Sequence, residues 1–471
     1  MNTIWLPDLS AAAGPKYKVL TEALRGAVRE GQLAVDEKLP PVRELAYQLG
    51  VTPGTIARAY SQLVDAGVLK AVVGRGTFVA TIQGDTPALF DQPAEVDSQE
   101  HNAVGDGYAV NMVSPHLPNV GQARLIRRLL GEVAQNPASG MMHYPTRASS
   151  LTAREAVVHW LRDVPIGSIT ADDVILANGG QNAILLVLQT LLKGRKPTIL
   201  VEELAYPGFR RAAELLRADV VPVAMDADGI IPEALESAAR QHEAQILCTS
   251  PEVHNPTLRF TPEARRHDIV DVARRLDLEI LEDDCYRMNT AQAVSYRVLA
   301  PERAWYIGSI SKMLTPALRL GYVVTPEGSA AKLRRSAEYS FFGLATPLTD
   351  LFTKLLPHPQ LPEFTQQIMG ETNRYIQATV NILGGYDLTW RPDVLFLWLT
   401  LPEGWRASAF CQAAEAQGVR IRSAEDYAER NATTRHAVRI AINAGVGLAS
   451  YEAAIGRLRE LLDNQPEQFG V

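Results

Sequence analysis

Cysteine is scarce in this chain. Cys248, Cys285 and Cys411 are the only three in 471 residues, and they stand far apart with no CxxC pair. That spacing excludes a disulfide framework and a thiolate metal set, and it points to reduced thiols in a cytosolic protein. Long apolar runs are missing too. The strongest, "AILLVLQTLL" at 183–192, is too short to cross a bilayer and contains Gln189. The opening "MNTIWLPDLSAAAGPKYKVL" lacks the basic-then-apolar order of a signal peptide, so a cytoplasmic location is expected. Internal repeats and low-complexity tracts are not evident. With 46% hydrophobic and 21% charged residues, the chain has an ordinary globular composition and room for two or three domains.

Basic residues are unevenly distributed. Residues 81–107 hold no Lys or Arg and six acids, with frequent Pro and Gly and no periodicity. That stretch reads as an acidic flexible linker. Ahead of it, residues 1–80 carry nine Lys/Arg against seven Asp/Glu, while the chain as a whole is −7. A mildly basic module on an acidic body fits a small nucleic-acid-binding domain joined to something larger.

The local patterns agree. Residues 16–31 place Tyr17, Leu20, Leu24 and Val28 on one helical face, with Gly31 at the end. "LPPVRELAYQLG" predicts a second helix with proline in its first turn, stopping at Gly50. "VTPGTIARAYSQLVDAG" predicts a third, with Thr52 as N-cap, Pro53 in the first turn, and Ile56, Tyr60 and Leu63 on one face. "VLKAVVGRGTFVA" then reads as a hairpin around Gly74-Arg75-Gly76. Three helices and a hairpin make a winged helix-turn-helix. The small polar start of its third helix, Thr52, Gly54 and Thr55, can approach a major groove closely. Arg58 lies one turn further in, Arg43 can clamp the phosphate backbone, and Arg75 at the wing tip can reach the minor groove. Residues 16–80 resemble the DNA-binding domain of the GntR family of bacterial regulators, through "EGQLAVDEKLPPVRELAYQLGVTPGTIARAYSQLVDAGVL" and "GRGTFV".

From about 108 onwards, short β-branched runs alternate with helical patterns. "DVILAN", "PTILVEE", "AQILCTS", "LEILEDD" and "RAWYIGS" predict strands buried on both faces of a mostly parallel sheet. The expected class is α/β. A winged helix-turn-helix (1–80) and the linker (81–107) precede a body (108–471) with a large part to about 340 and a smaller C-terminal α/β part (341–471).

The body carries a set of motifs in the order of the class I/II aminotransferases, which it resembles. That resemblance implies the fold-type I architecture and pyridoxal 5'-phosphate as cofactor. In "LANGGQNAI", Gly180, Gln181 and Asn182 would present backbone N–H groups at a helix N-terminus to the phosphate. In "EELAYPGF", Tyr206 would stack on the pyridine ring. In "TSPEVHNPT", Asn255 would donate to the ring hydroxyl. In "EILEDDCY", Asp283 would pair with the pyridine nitrogen and Tyr286 would give a second donor to the hydroxyl. In "GSISKMLTPALRLGY", Lys312 would form the imine, and Ser309, Ser311 and Arg319 would complete the phosphate cradle. In "TRHAVRIAINAG", Arg439 matches the arginine that receives a substrate carboxylate. Leu258, Ser149 and Ala153 depart from the pattern, the first two standing where relatives carry glycine. Tyr144, beside Ser149, is a candidate to reach the cofactor phosphate of a partner subunit. No metal set is expected.

The combination resembles the MocR subfamily of regulators. It implies a homodimer that binds operator DNA and responds to a small amino compound exchanging with Lys312. Two alternatives stand beside it: an active aminotransferase with an accessory DNA-binding domain, and a vitamin B6 sensor whose ligand is pyridoxal phosphate itself.

Overall fold

The computed structural model describes residues 15–29, 32–34, 37–65, 68–72, 76–80, 110–428 and 436–464. Arg75 and the 81–107 linker lie outside the described residues. The chain divides into two compact units, Met1–Leu89 and Phe90–Val471.

In the first unit the expected helices form at Lys16–Arg29, Val42–Gln48 and Pro53–Asp65. Leu20, Leu24, Val28, Ile56, Tyr60 and Leu63 are all buried in one core. Losing any one of these leucines to alanine costs about 2–5 kcal/mol. The third helix starts as its sequence dictates. The Thr55 N–H donates to Thr52 Oγ1 at 3.4 Å, which caps the first turn. Pro41 is the N-cap of the second helix rather than part of its first turn. Strands β1 (Leu69–Val72) and β2 (Gly76–Val79) pair antiparallel as the wing.

The second unit begins at β3 (Val110–Asn111). Its centre is a seven-stranded sheet of β4 (Val174–Ala177), β5 (Thr198–Glu202), β6 (Asp219–Val223), β9 (Ile246–Thr249), β10 (Glu279–Asp283), β11 (Ala304–Ser309) and β12 (Gly321–Val324). A short hairpin, β7 (Met225–Asp226) with β8 (Gly229–Ile230), follows β6. The sheet order is β4-β12-β11-β10-β9-β5-β6. Only β12 runs antiparallel to its neighbours, β11 and β4, so the other six strands share one direction. Strands β4, β5, β9 and β11 are buried along their whole length, as continuous apolar runs covered by helices on both faces require.

A four-stranded sheet forms from β13 (Leu388–Thr389), β14 (Phe396–Thr400), β16 (Arg422–Ser423) and β17 (Ala437–Ala441), in the order β13-β14-β17-β16. It packs with the long helix Leu361–Leu383 and the helix Leu448–Asp463 around a core containing Leu397, Ile440 and Tyr451. Strand β15 (Val419–Arg420) pairs in parallel with β3. The start of the body, which lies in the range expected for the large part, is thus held by the smaller part.

Candidate functional site

Six strands direct their carboxyl ends to one edge of the large sheet, the edge where open α/β sheets bind ligands. Asn178 follows β4 there, Glu202 ends β5, Asp283 ends β10 and Ser309 ends β11.

Lys312 closes a single 3₁₀ turn, Ile310–Lys312, immediately after β11. Ser309 locks that turn. Its Oγ accepts the Ser311 N–H at 3.2 Å, and its own hydroxyl has the Leu320 carbonyl at 2.8 Å and the Ser311 hydroxyl at 2.9 Å. The Lys312 Nζ then lies 5.3 Å from the centre of the Tyr286 ring. Asp283 is buried, and its Oδ1 accepts the Cys285 N–H at 3.1 Å. Burial raises its carboxyl above the ordinary range, outweighing the hydrogen bonds from Cys285. Among the described residues, no lysine or arginine forms an ion pair with it. Burial alone would raise the Tyr286 phenol, but the Lys312 and Arg439 charges hold it below its ordinary value.

Arg439, from β17, is 3% exposed. Its Nη1 donates to Asn255 Oδ1 and its Nη2 to the Val113 carbonyl, each at 2.7 Å. The guanidinium lies between the Phe396 and Tyr427 rings, 4.9 and 5.2 Å from their centres. Its Nε is buried without a hydrogen-bond partner, and among the described residues no carboxylate pairs with it. A guanidinium has donors only, so the Asn255 atom facing it is the amide oxygen. The Asn255 NH₂ is therefore left to donate elsewhere. Next to it, His254 Nδ1 meets Thr257 Oγ1 at 2.6 Å. Burial, helped by Arg259, pushes the His254 imidazole down to about 3, so it is neutral at physiological pH.

Gly179 opens the helix Gly179–Leu191 with a φ of +80°. A side chain at Gly179 would lie 2.7 Å from Arg319 Nη2. One at Gly180 would lie 2.7 Å from Cys285 Sγ, and one at Gly321 would lie 2.6 Å from the Gly179 carbonyl carbon. Two segments distant in sequence, around Cys285 and at 319–321, therefore close on the start of this helix, and only glycines permit it. Asn182 Oδ1 accepts the Asn178 N–H at 3.0 Å, and Gln181 Nε2 donates to the Gly208 carbonyl at 2.9 Å. Those side chains fix the loop, while the backbone N–H groups of Gly180, Gln181 and Asn182 have no acceptor within the helix. Arg319 itself has a φ of +50°, a left-handed conformation that costs a non-glycine residue about 1–2 kcal/mol. Such strain concentrates at functional sites. Tyr206 is the N-cap of the helix Pro207–Leu215 and is half-buried; a side chain at Gly208 would collide with its ring.

These residues fit pyridoxal phosphate on their own chemistry. Asp283 is a buried carboxylate with no counter-cation among the described residues, which a protonated pyridine nitrogen would supply. The open N–H groups beside Arg319 match a phosphate, and Lys312 is the amine near an aromatic platform. The reading of the sequence missed Phe396 and Tyr427, the aromatic pair around Arg439, and Cys285, which walls Gly180. Phe396 is buried at the start of β14 and carried no local signal.

In the first unit, Arg43, Thr52 and Arg58 are exposed and Thr55 is half-buried. Arg58 is not extended freely; its guanidinium lies 4.1 Å from the centre of the Tyr17 ring on the first helix. Tyr144, in the body, is 78% exposed, with its ring centre 5.5 Å from that of Phe342.

Comparison with known proteins accords with both halves. Residues 119–458 match the class I and II aminotransferase family, and residues 16–79 match the gntR family of bacterial regulatory proteins. An uncharacterised HTH-type transcriptional regulator of Bacillus subtilis, YdeF, is 28% identical over 98% of this chain and 97% of its own. The vitamin B6 salvage pathway transcriptional repressor PtsJ of Salmonella typhimurium is 28% identical, covering 86% of this chain and 90% of its own. The pyridoxine biosynthesis regulator PdxR of Corynebacterium glutamicum is 29% identical over 70% of this chain and 71% of its own. Among solved structures, a kynurenine aminotransferase of Pyrococcus horikoshii superposes with a TM-score of 0.68 at 21% identity, covering 82% of this chain and 98% of that one. An archaeal alanine:glyoxylate aminotransferase gives 0.68 at 20% identity, covering 80% and 95%. The chain belongs to the class I and II aminotransferase family and carries a gntR-family domain ahead of it, the organisation of the MocR-type transcriptional regulators.

Proposed function

We propose that the protein is a pyridoxal-phosphate-dependent transcriptional regulator, active as a homodimer on operator DNA, whose signal is a small amino compound. The observation that carries this reading is the combination of Lys312, 5.3 Å from the Tyr286 ring, with a buried Asp283 that has no ion-pair partner among the described residues. When bound, the coenzyme supplies an aldehyde that primary amines capture reversibly and a ring that withdraws electrons. Asp283 holds a proton on the ring nitrogen. The Asn255 NH₂, aimed by Arg439, and the Tyr286 hydroxyl donate to the ring hydroxyl. The first-turn N–H groups of Gly180, Gln181 and Asn182, with Ser311 and Arg319, hold the phosphate, while Ser309 shapes the turn. Tyr206 covers the ring. A ligand amine competes with the Lys312 ε-amine for the same position, and a ligand acid group can lie toward Arg439, whose charge has no carboxylate partner among the described residues.

In the first unit, Arg43, Thr52, Thr55, Arg58 and Arg75 make the DNA contacts. Arg58 must leave the Tyr17 ring, or use the ring as a support, to reach a base edge.

A second reading has one observation in its favour. Arg439 already donates to Asn255 and to the Val113 carbonyl, and its Nε is enclosed. A site whose arginine already spends two of its donors on Asn255 and the Val113 carbonyl suits a sensor of pyridoxal phosphate alone. PdxR and PtsJ, by their names, act in vitamin B6 metabolism.

An absorbance scan of the purified chain tests the proposal. Added coenzyme is expected to give a visible band that Lys312→Ala abolishes, and one member of a panel of amines and amino acids is expected to shift it and change operator binding. A protein that stays colourless in excess coenzyme refutes the proposal. Operator binding that answers to coenzyme and to no amine selects the second reading. Steady-state transamination of an amino acid would make the chain an enzyme instead.

A further inference from the structure

Beyond the coenzyme site lies a second cavity. A cleft of about 80 Å³ opens between the segment 145–154, the helix Ala330–Phe341 and strand β4. On this measure a water needs roughly 10–15 Å³, so the cleft has room for a ligand of about five to eight non-hydrogen atoms. Strand β4 is the outermost strand of the large sheet and, among the described residues, pairs with β12 alone. Its residues Val174, Ile175 and Leu176 line the cleft, and half of its backbone N–H and C=O groups point away from β12.

The remaining walls are cationic. Arg147, Arg154 and Arg334 all line the cleft. Asp172 answers two of them, at 2.8 Å from Arg147 and 3.3 Å from Arg154. Arg334 donates to the Asp172 backbone carbonyl at 3.2 Å, and among the described residues no carboxylate forms an ion pair with it. Glu338, one turn along the same helix, also lines the cleft and is exposed. Three guanidiniums against two carboxylates leave one positive charge uncompensated. Burial, and then the like charges of Arg147 and Arg154, hold the Arg334 guanidinium below its ordinary value, against the smaller opposing pull of Asp172 and Glu338.

We infer that this cleft is a second ligand site, which takes a small monocarboxylic acid with its carboxylate on Arg334 and its hydrocarbon against Val174 and Leu344. A monoanion restores neutrality, the aliphatic wall suits a short alkyl chain, and the volume limits the chain to a few carbons. The site adjoins the coenzyme site through one element. Strand β4 runs directly into Asn178 and Gly179, the start of the phosphate loop, so an acid wedged along β4 acts on the loop without entering it. The inference stands apart from the coenzyme reading, because the cleft shares no residue with that site.

The full chain saturated with coenzyme can be titrated calorimetrically with butyrate, with butylammonium and inorganic phosphate as controls, and mapped by hydrogen exchange. Butyrate is expected to bind and to protect 145–154 and 334–344, phosphate to bind more weakly, and butylammonium not to bind. Arg334→Gln should weaken butyrate at least tenfold, and Glu338→Gln, which removes a competing rim carboxylate, should tighten it two- to threefold; the coenzyme absorbance should not change in either. Equal affinity in Arg334→Gln overturns the inference, as does protection centred on Arg439. Full protection of the two segments before acid is added also overturns it, because a second copy of the chain would then fill the cleft.

Discussion

Replacing Glu202 with glutamine should stabilise the protein by an amount that grows as pH rises from 4.5 to about 7. Glu202 ends β5 and is 3% exposed. Its Oε1 accepts the Thr249 hydroxyl at 2.5 Å and the Ser250 N–H at 2.8 Å, while its Oε2 is buried with no partner. Glu202 also lines a cavity of about 10 Å³, room for about one water, together with Tyr206, Arg210 and Tyr427. Burial raises the carboxyl from an ordinary 4.5 to about 7, against the hydrogen bonds from Thr249 and Ser250. Between these two values the folded state holds a proton that the unfolded state has released. Stability therefore falls as pH rises through that window, by up to about 1.4 kcal/mol per pH unit, and the whole contribution of about 3 kcal/mol is gone above pH 7. Glutamine keeps the Oε1 acceptor, places an NH₂ where the protonated Oε2 was, and cannot ionise. Glu202→Gln should thus exceed the parent by less than about 1 kcal/mol at pH 5 and by about 3 kcal/mol at pH 8. Urea unfolding followed by tryptophan fluorescence reads mainly the body, which holds five of the six tryptophans. A stability difference that is the same at both pH values refutes the assignment of a buried, protonated Glu202.

Other substitutions probe neighbouring parts. Arg266 is 1% exposed and bonds Glu252 at 3.0 Å, with Glu282 at 3.9 Å; Arg266→Leu leaves these acids unpaired beneath the site and should cost about 3–5 kcal/mol in urea unfolding. Leu258 combines a φ of +62° with a buried side chain packed near Val394 and Phe396. Leu258→Gly relieves about 1–2 kcal/mol of backbone strain but forfeits about 2–5 kcal/mol of packing, so a net loss of about 1–3 kcal/mol is expected in the same assay. Asp283→Asn keeps the Cys285 hydrogen bond but not the charge, and titration of the apoprotein should show coenzyme affinity reduced about 10–100-fold.

The sequence announced whatever depended on neighbours along the chain. The apolar runs that became β4, β5, β9, β10 and β11 were legible because strands covered on both faces must be apolar throughout. The third helix of the first unit was legible because Thr52 and Pro53 are local start signals. Strand β12 was not foreseen. "GYVV" is only four residues long, and what makes it a strand is its place between β4 and β11, where Gly321 admits the close approach of Gly179. The cofactor motifs gave the residues of the site but not their support. Asn255 and Arg439 are 184 positions apart, and no spacing rule joins them. Arg266 sits in "EARRHD", which reads as the solvated face of a helix, yet burial among acids from two strand ends makes it the counter-charge of the interior.

Leu258 shows where pattern and packing part. A leucine where relatives carry glycine reads, in one dimension, as decay of the motif. In three dimensions the turn keeps its left-handed conformation, and the side chain that makes this costly is buried in the cluster between the turn and β14. The turn that carries Asn255 is therefore fastened to the smaller part of the body by a contact glycine cannot make. Asn255 is also bonded to Arg439 on β17, so this turn and the four-stranded sheet are tied at two points. Any ligand that pulls on Arg439 must move the Asn255 amide with it, and a regulator needs that kind of connection more than a catalyst does. The conservative exchange Arg439→Lys cuts one of the two ties and leaves Leu258 in place. Comparing its ligand response with its coenzyme affinity separates the connection from the cofactor site itself.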